Sequence, residues 1–118
     1  MIAHVVLMNP KPDLAPEDRR AFVDAFERAV RNIPAVRNVR IGTRVVHGAQ
    51  YEKGMPDTGA FLAVIDFDDL SGLQTYLRHP EHDALGRLFY LSLSSAFVYD
   101  YEVGGVELLQ GLGLPGFS

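Results

Sequence analysis

Residues 2–9, Ile2-Ala3-His4-Val5-Val6-Leu7-Met8-Asn9, are apolar on both parities of an extended chain. Successive side chains of a strand point to opposite faces, so Ile2, His4, Val6 and Met8 share one side and Ala3, Val5 and Leu7 the other. A strand of this kind needs cover on both faces, which places it in the interior of a sheet. Residues 59–67, Gly-Ala-Phe-Leu-Ala-Val-Ile-Asp-Phe, repeat the pattern and are read as a second central strand.

The segments around these two strands have a different character. From Pro16 to Asn32, Phe22, Ala25, Phe26, Ala29 and Val30 recur at helical spacing, continuing to Ile33. Pro16 suits the first helical position, Glu17 and Asp18 the first turn, and Arg28 and Arg31 the last turns. Pro34 stops the helix. Residues 37–47 alternate cleanly, with Val39, Ile41, Thr43 and Val45 against Arg40, Gly42 and Arg44, which predicts a half-exposed edge strand. Residues 48–58 form a polar loop. A second helical region, capped by Asp69 or Ser71, carries Leu70, Leu73, Tyr76 and Leu77. Pro80 interrupts it by forcing His79 toward extended backbone, and then opens a fresh helix along Ala84, Leu85, Leu88 and Phe89. A final strand is expected at 96–103.

The order βαββαβ predicts an α+β, ferredoxin-like domain over residues 1–103. Its four-stranded antiparallel sheet carries two helices on one face and has strands one and three at the centre. Two helices cover one face only, yet both central strands are apolar on both. The uncovered face therefore predicts a homodimer packed sheet to sheet. Residues 104–118, rich in Gly and Leu, form an extension too apolar to remain in water; packing on the partner subunit or over a cavity mouth is expected.

Composition narrows the function. Of the 118 residues 47% are hydrophobic and 22% charged, as in ordinary globular domains, and the net charge of −4 argues against a nucleic-acid partner. The chain has no cysteine, which excludes disulfides and thiolate chemistry. The N-terminal run has no basic flank and is too short for a signal peptide or a membrane span, so a cytoplasmic protein is expected. No phosphate-binding glycine loop or nucleophile elbow occurs, and no cofactor is called for. Arg28, Arg31, Arg37, Arg40 and Arg44 fall in a stretch without acidic residues; solvated arginines explain it, with an anion site as the alternative.

Three histidines deserve separate reading. His4 is a polar group among Ile2, Val6 and Met8, and a buried tyrosine or histidine is expected to meet it. His82 falls just inside the helix opened by Pro80. The helix N-terminus there disfavours imidazolium and depresses the pKa below about 6.5, with Asp83 opposing. His79 sits at the joint, suited to capping or bridging. Zinc held by His79 and His82 would need further ligands; Asp83 or Asp100 can be nominated, but no spacing supports them. Tyr76 is either a core ring whose hydroxyl reaches a neighbour or a pocket residue.

The opening "MIAHVVL", "IPAV" after the first helix, "VIDFDDL", "YLRHPEH" and the closing "VYDY" together resemble the stress-responsive dimeric α/β-barrel (Dabb) family across residues 1–103. The resemblance implies a dimer of ferredoxin-like subunits with a small apolar ligand cavity. One plant member is a cofactor-free polyketide cyclase that works by aldol condensation. Carried over by motif, its catalytic residues fall on His82 as general base, with Tyr76 and His4 orienting substrate or base. Val6, Phe26 and His79 would line the site. Phe26 replaces what looks like a pocket tyrosine in that cyclase, which removes a hydrogen-bonding phenol. The resemblance also implies a cation, magnesium, on the backbone carbonyls of Val30, Ile33 and Val36. Three functions compete: a binder of a small hydrophobic carbonyl ligand, a cyclase or isomerase, and a non-catalytic stress-stability protein.

Overall fold

β1 (Ile2–Pro10) runs through the middle of the sheet in the computed structural model, which describes residues 1–114. It is followed by α1 (Pro16–Asn32), β2 (Asn38–Thr43), β3 (Phe61–Phe67), α2 (Leu70–Arg78), α3 (Pro80–Ser92) and β4 (Leu93–Glu102). The strand order is β2-β3-β1-β4 with every neighbouring pair antiparallel, so the two strands that are apolar on both parities are the two interior ones. This is the ferredoxin-like arrangement.

The helices lie on the face that carries His4, Val6 and Met8 of β1 and Ala63, Ile65 and Phe67 of β3, all buried. Beneath them Ala25, Ala29 and Ile33 from the α1 end of the layer meet Leu73, Tyr76 and Leu85 in one cluster with Ile65 and Phe67. The small Ala25 and Ala29 allow close approach, and α1 packs mainly along α3. Asp69 caps α2 by accepting from the Gly72 amide at 2.9 Å. Among the described residues no helix is long and apolar enough to cross a membrane.

The opposite sheet face has no helix. Register places Val5, Val64, Arg40 and Tyr99 in one row across it, and Leu7, Leu62, Gly42 and Phe97 in the next. Phe97, Tyr99 and Tyr101 are exposed there.

Two strand boundaries differ markedly from the sequence reading. β2 ends at Thr43 rather than near His47: after the Arg44 amide donates to the Ala60 carbonyl at 2.9 Å, the chain leaves the sheet, exposing Val45 and Val46. The loop that follows contains a short 3-10 turn, Gln50–Gly54. β4 starts at Leu93, directly out of α3, because Asn9 and Pro10 of β1 pair with Ser95 and Leu93 across a bulge. The arginine-rich stretch is matched by carboxylates from elsewhere in the chain. Arg28 faces Glu81, Arg31 Glu27, Arg37 Asp68, Arg40 Asp66 and Arg44 Asp57, all within 4 Å. The pairing removes the case for an anion site there. Beyond β4, a 3-10 turn at Val106–Gly111 leaves Val106, Leu108, Leu109 and Leu112 exposed; Phe117 of the same extension lies outside the described residues.

Candidate functional site

A cavity of about 980 Å³ opens between the helix layer and β4. Four sequence-selected residues from four elements meet on its wall: His4 from β1, Phe26 from α1, Tyr76 from α2 and His82 from α3; Val6 of β1 joins them. Local chemistry places each one. The inward parity of β1 carries His4 and Val6. Helical periodicity turns Phe26 and Tyr76 toward the core. Pro80 restarts the helix so that His82 lies in its first turn, facing back toward Tyr76.

Tyr76 stands between the two imidazoles. Its ring is edge-on to His82 with centroids 4.8 Å apart and edge-on to His4 at 5.9 Å. The side chain is 1% exposed, and burial pushes the phenol up to about 12. Tyr76 is therefore a protonated donor throughout the physiological range. His82 is moved the other way, below its ordinary value of 6.5. Burial is the main cause and the neighbouring His4 the second; Asp83 and the Leu77 carbonyl oppose the shift. The direction agrees with the sequence reading, but its leading cause is desolvation rather than the helix N-terminus. His82 is a neutral imidazole at pH 7, able to accept a proton.

His4 has a partner that the sequence reading did not assign to it. Its Nδ1 lies 2.5 Å from Oδ1 of Asp100, directly opposite in the β1–β4 register. The carboxylate accepts the Nδ1 proton and fixes the ring, which leaves Nε2 as the second functional nitrogen. The expected tyrosine does adjoin His4, through its ring edge, but the hydrogen bond goes to Asp100. The missed signal was parity. Once Ala96 and Val98 are assigned to the inner side of β4, Asp100 must follow them, and only the interstrand register shows that it faces His4.

His79 does not line the cavity. Its backbone is extended, and its Nδ1 accepts the Glu81 amide at 3.1 Å, so it is the N-cap of α3. Among the described residues no group of three or more His, Asp or Glu side chains is placed to hold a metal. In the turn after α1, the Ile33 carbonyl accepts the Val36 amide at 3.1 Å, and the Pro34 carbonyl takes Nη1 of Arg37 at 2.8 Å. Pro34 has no amide to offer the Val30 carbonyl. The Arg37 guanidinium thus takes the Pro34 carbonyl beside the Val30, Ile33 and Val36 carbonyls, with its charge matched by Asp68 at 2.8 Å. The rest of the wall is mostly apolar, with Ile65, Leu85, Phe89 and Leu93; Asp83, Arg87 and Tyr90 stand at its exposed side.

Fold and cavity together define a class: a ferredoxin-like α+β domain with a histidine–tyrosine pocket under its helices. The chain belongs to the Dabb family, the stress responsive A/B barrel domain, whose family model matches residues 2–103. Among curated proteins it is similar to olivetolic acid cyclase from Cannabis sativa, 20% identical over 100 residues that cover 85% of this chain and 94% of that one. Among solved structures it is similar to hydroxynitrile lyase from Passiflora edulis, with a TM-score of 0.73 at 12% identity, covering 89% of this chain and 94% of that one. A dimeric ferredoxin-like protein of unknown function from Thermobifida fusca gives 0.65 at 20% identity, covering 86% and 90%. At these identities the structural likeness is one of fold.

Proposed function

We propose that this Dabb-family protein is a homodimer that binds a small apolar carbonyl compound in the cavity and performs acid–base chemistry on it. The observation that carries this reading is the convergence of neutral His82, protonated Tyr76 and Asp100-held His4 on one wall. His82 removes a proton from the carbon next to the carbonyl: the C–H bond breaks, an N–H bond forms, and the electron pair moves to the carbonyl oxygen. Tyr76 donates a hydrogen bond to that oxygen as its charge grows, and His4 orients the same group. The enolate so formed is the common intermediate of aldol cyclisation and isomerisation. The cyclase and the lyase named above support carbonyl chemistry on this fold; the open sheet face and the dimeric relative support the homodimer.

The chemical step can be tested without knowing the product. Wild-type protein is incubated in D₂O with a panel of β-dicarbonyl compounds, and loss of the α-proton signal is followed by NMR. Catalysed exchange is expected, with a fall of about 100-fold or more in His82→Ala. Binding without exchange leaves a binder, and no binding by any member of the panel removes the cavity reading.

A further inference from the structure

The wall of the cavity changes character from its depth to its mouth. His4 and Tyr76, at the deep end, are 5% and 1% exposed. Val6 and Leu85, as buried as these two, and the half-buried Phe26 and Phe89 make the rest of the inner wall apolar. Arg87 and Tyr90, both exposed, stand at the outer side on one face of α3. Arg87 differs from the arginines of residues 28–44, each of which has a carboxylate within 4 Å; among the described residues it has none. Asp83, one turn earlier on α3, is the acidic residue on the same wall and does not come within that distance.

The geometry points to Arg87 as the residue that selects the ligand, by holding a carboxylate of the substrate at the cavity mouth while its carbonyl meets His82 and Tyr76. This inference rests on the carbonyl-binding reading above and adds the substrate class, an apolar oxo acid. Arg87 follows His82 by five positions, a rise of roughly 7.5 Å along α3 and about 140° around it, so a flexible spacer of about six bonds is taken between the carbonyl and the carboxylate. The planar guanidinium matches a carboxylate through two parallel N–H donors, which a neutral ester cannot equal. Asp83 weakens the field at the mouth and so sets an upper limit on this preference.

The probes are 7-oxooctanoate and its methyl ester, titrated calorimetrically into the full chain at low salt. The acid should bind wild type about ten-fold or more tighter than the ester. Arg87→Gln should abolish that preference by weakening the acid while leaving the ester within about two-fold; Arg87→Lys should keep part of it, and Asp83→Asn should enlarge it. Arg87 is exposed, and equal thermal melts will show that these variants fold. Equal binding of acid and ester by wild type overturns the inference and leaves the cavity reading standing. So does a preference that survives Arg87→Gln. Failure of both probes to bind wild type overturns the inference together with the cavity reading beneath it.

Discussion

Tyr76 is the largest of the fully buried side chains and also lines the cavity. Burial raises its phenol from the ordinary 10 to about 12. Because the folded value lies above the unfolded one, stability is undiminished below pH 10 and falls as pH rises from 10 toward 12, where ionising the buried phenol penalises the folded state. The size is about 2–3 kcal/mol. Tyr76→Phe should therefore unfold in urea much like wild type at pH 8, and lose less stability between pH 10 and 12. Superimposable alkaline stability curves would show that the phenol is not held protonated by the fold. His82 works on the acid side. Its folded value is lowered, so its contribution is present above 6.5 and declines as pH falls below it. The two groups bracket the range in which base and donor coexist.

At the scale of elements, the Pro80 junction decides where the base points. His79 cannot continue α2 because the residue before proline is driven to extended backbone, and there its Nδ1 closes the first turn of α3. His79→Ala should lower stability by about 1 kcal/mol in urea unfolding, and His79→Asn should restore most of it, since asparagine is a strong N-cap. An alanine variant as stable as wild type would mean that water satisfies the Glu81 amide equally well. The junction was legible in the sequence because its causes are local: a proline, a polar residue before it and an apolar stripe on each side. The parity of β1 and β3 was legible for the same reason. Asp100 and the start of β4 were not. Leu93–Ser95 sit at a helix end in sequence and become strand only because Asn9 and Pro10 offer a ladder nearly ninety residues away. The pairing of His4 with Asp100 likewise depends on interstrand register. Nothing in the sequence singles out Arg87; only the fold puts it beside the cavity.

The single chain has the shape of a protein that is missing a layer. It is 21 Å thick, the depth of one sheet and one helix layer. Its radius of gyration of 16.1 Å exceeds the roughly 13.5 Å usual for a compact domain of this length. Two apolar surfaces stand outside the core: the helix-free sheet face, and the extension after Val103, whose Val106, Leu109 and Leu112 touch water in the single chain. None of the described extension residues lines the cavity, which leaves the partner subunit as the better of the two covers for them. A second copy packed face to face would bury both surfaces, and each apolar side chain fully covered would add about 1.5–3 kcal/mol. Tyr99 lies in the row with Val5 and Val64, so Tyr99→Asp puts a charge into the proposed interface and should turn a sedimenting dimer into monomer at micromolar concentration. Truncation after Val103 should lower the melting temperature or weaken the dimer, while leaving the row around Tyr99 intact. A monomeric wild type would remove the sheet-to-sheet assembly. A truncated chain that melts and dimerises like the full one would leave the assembly in place and show that the extension lies outside it.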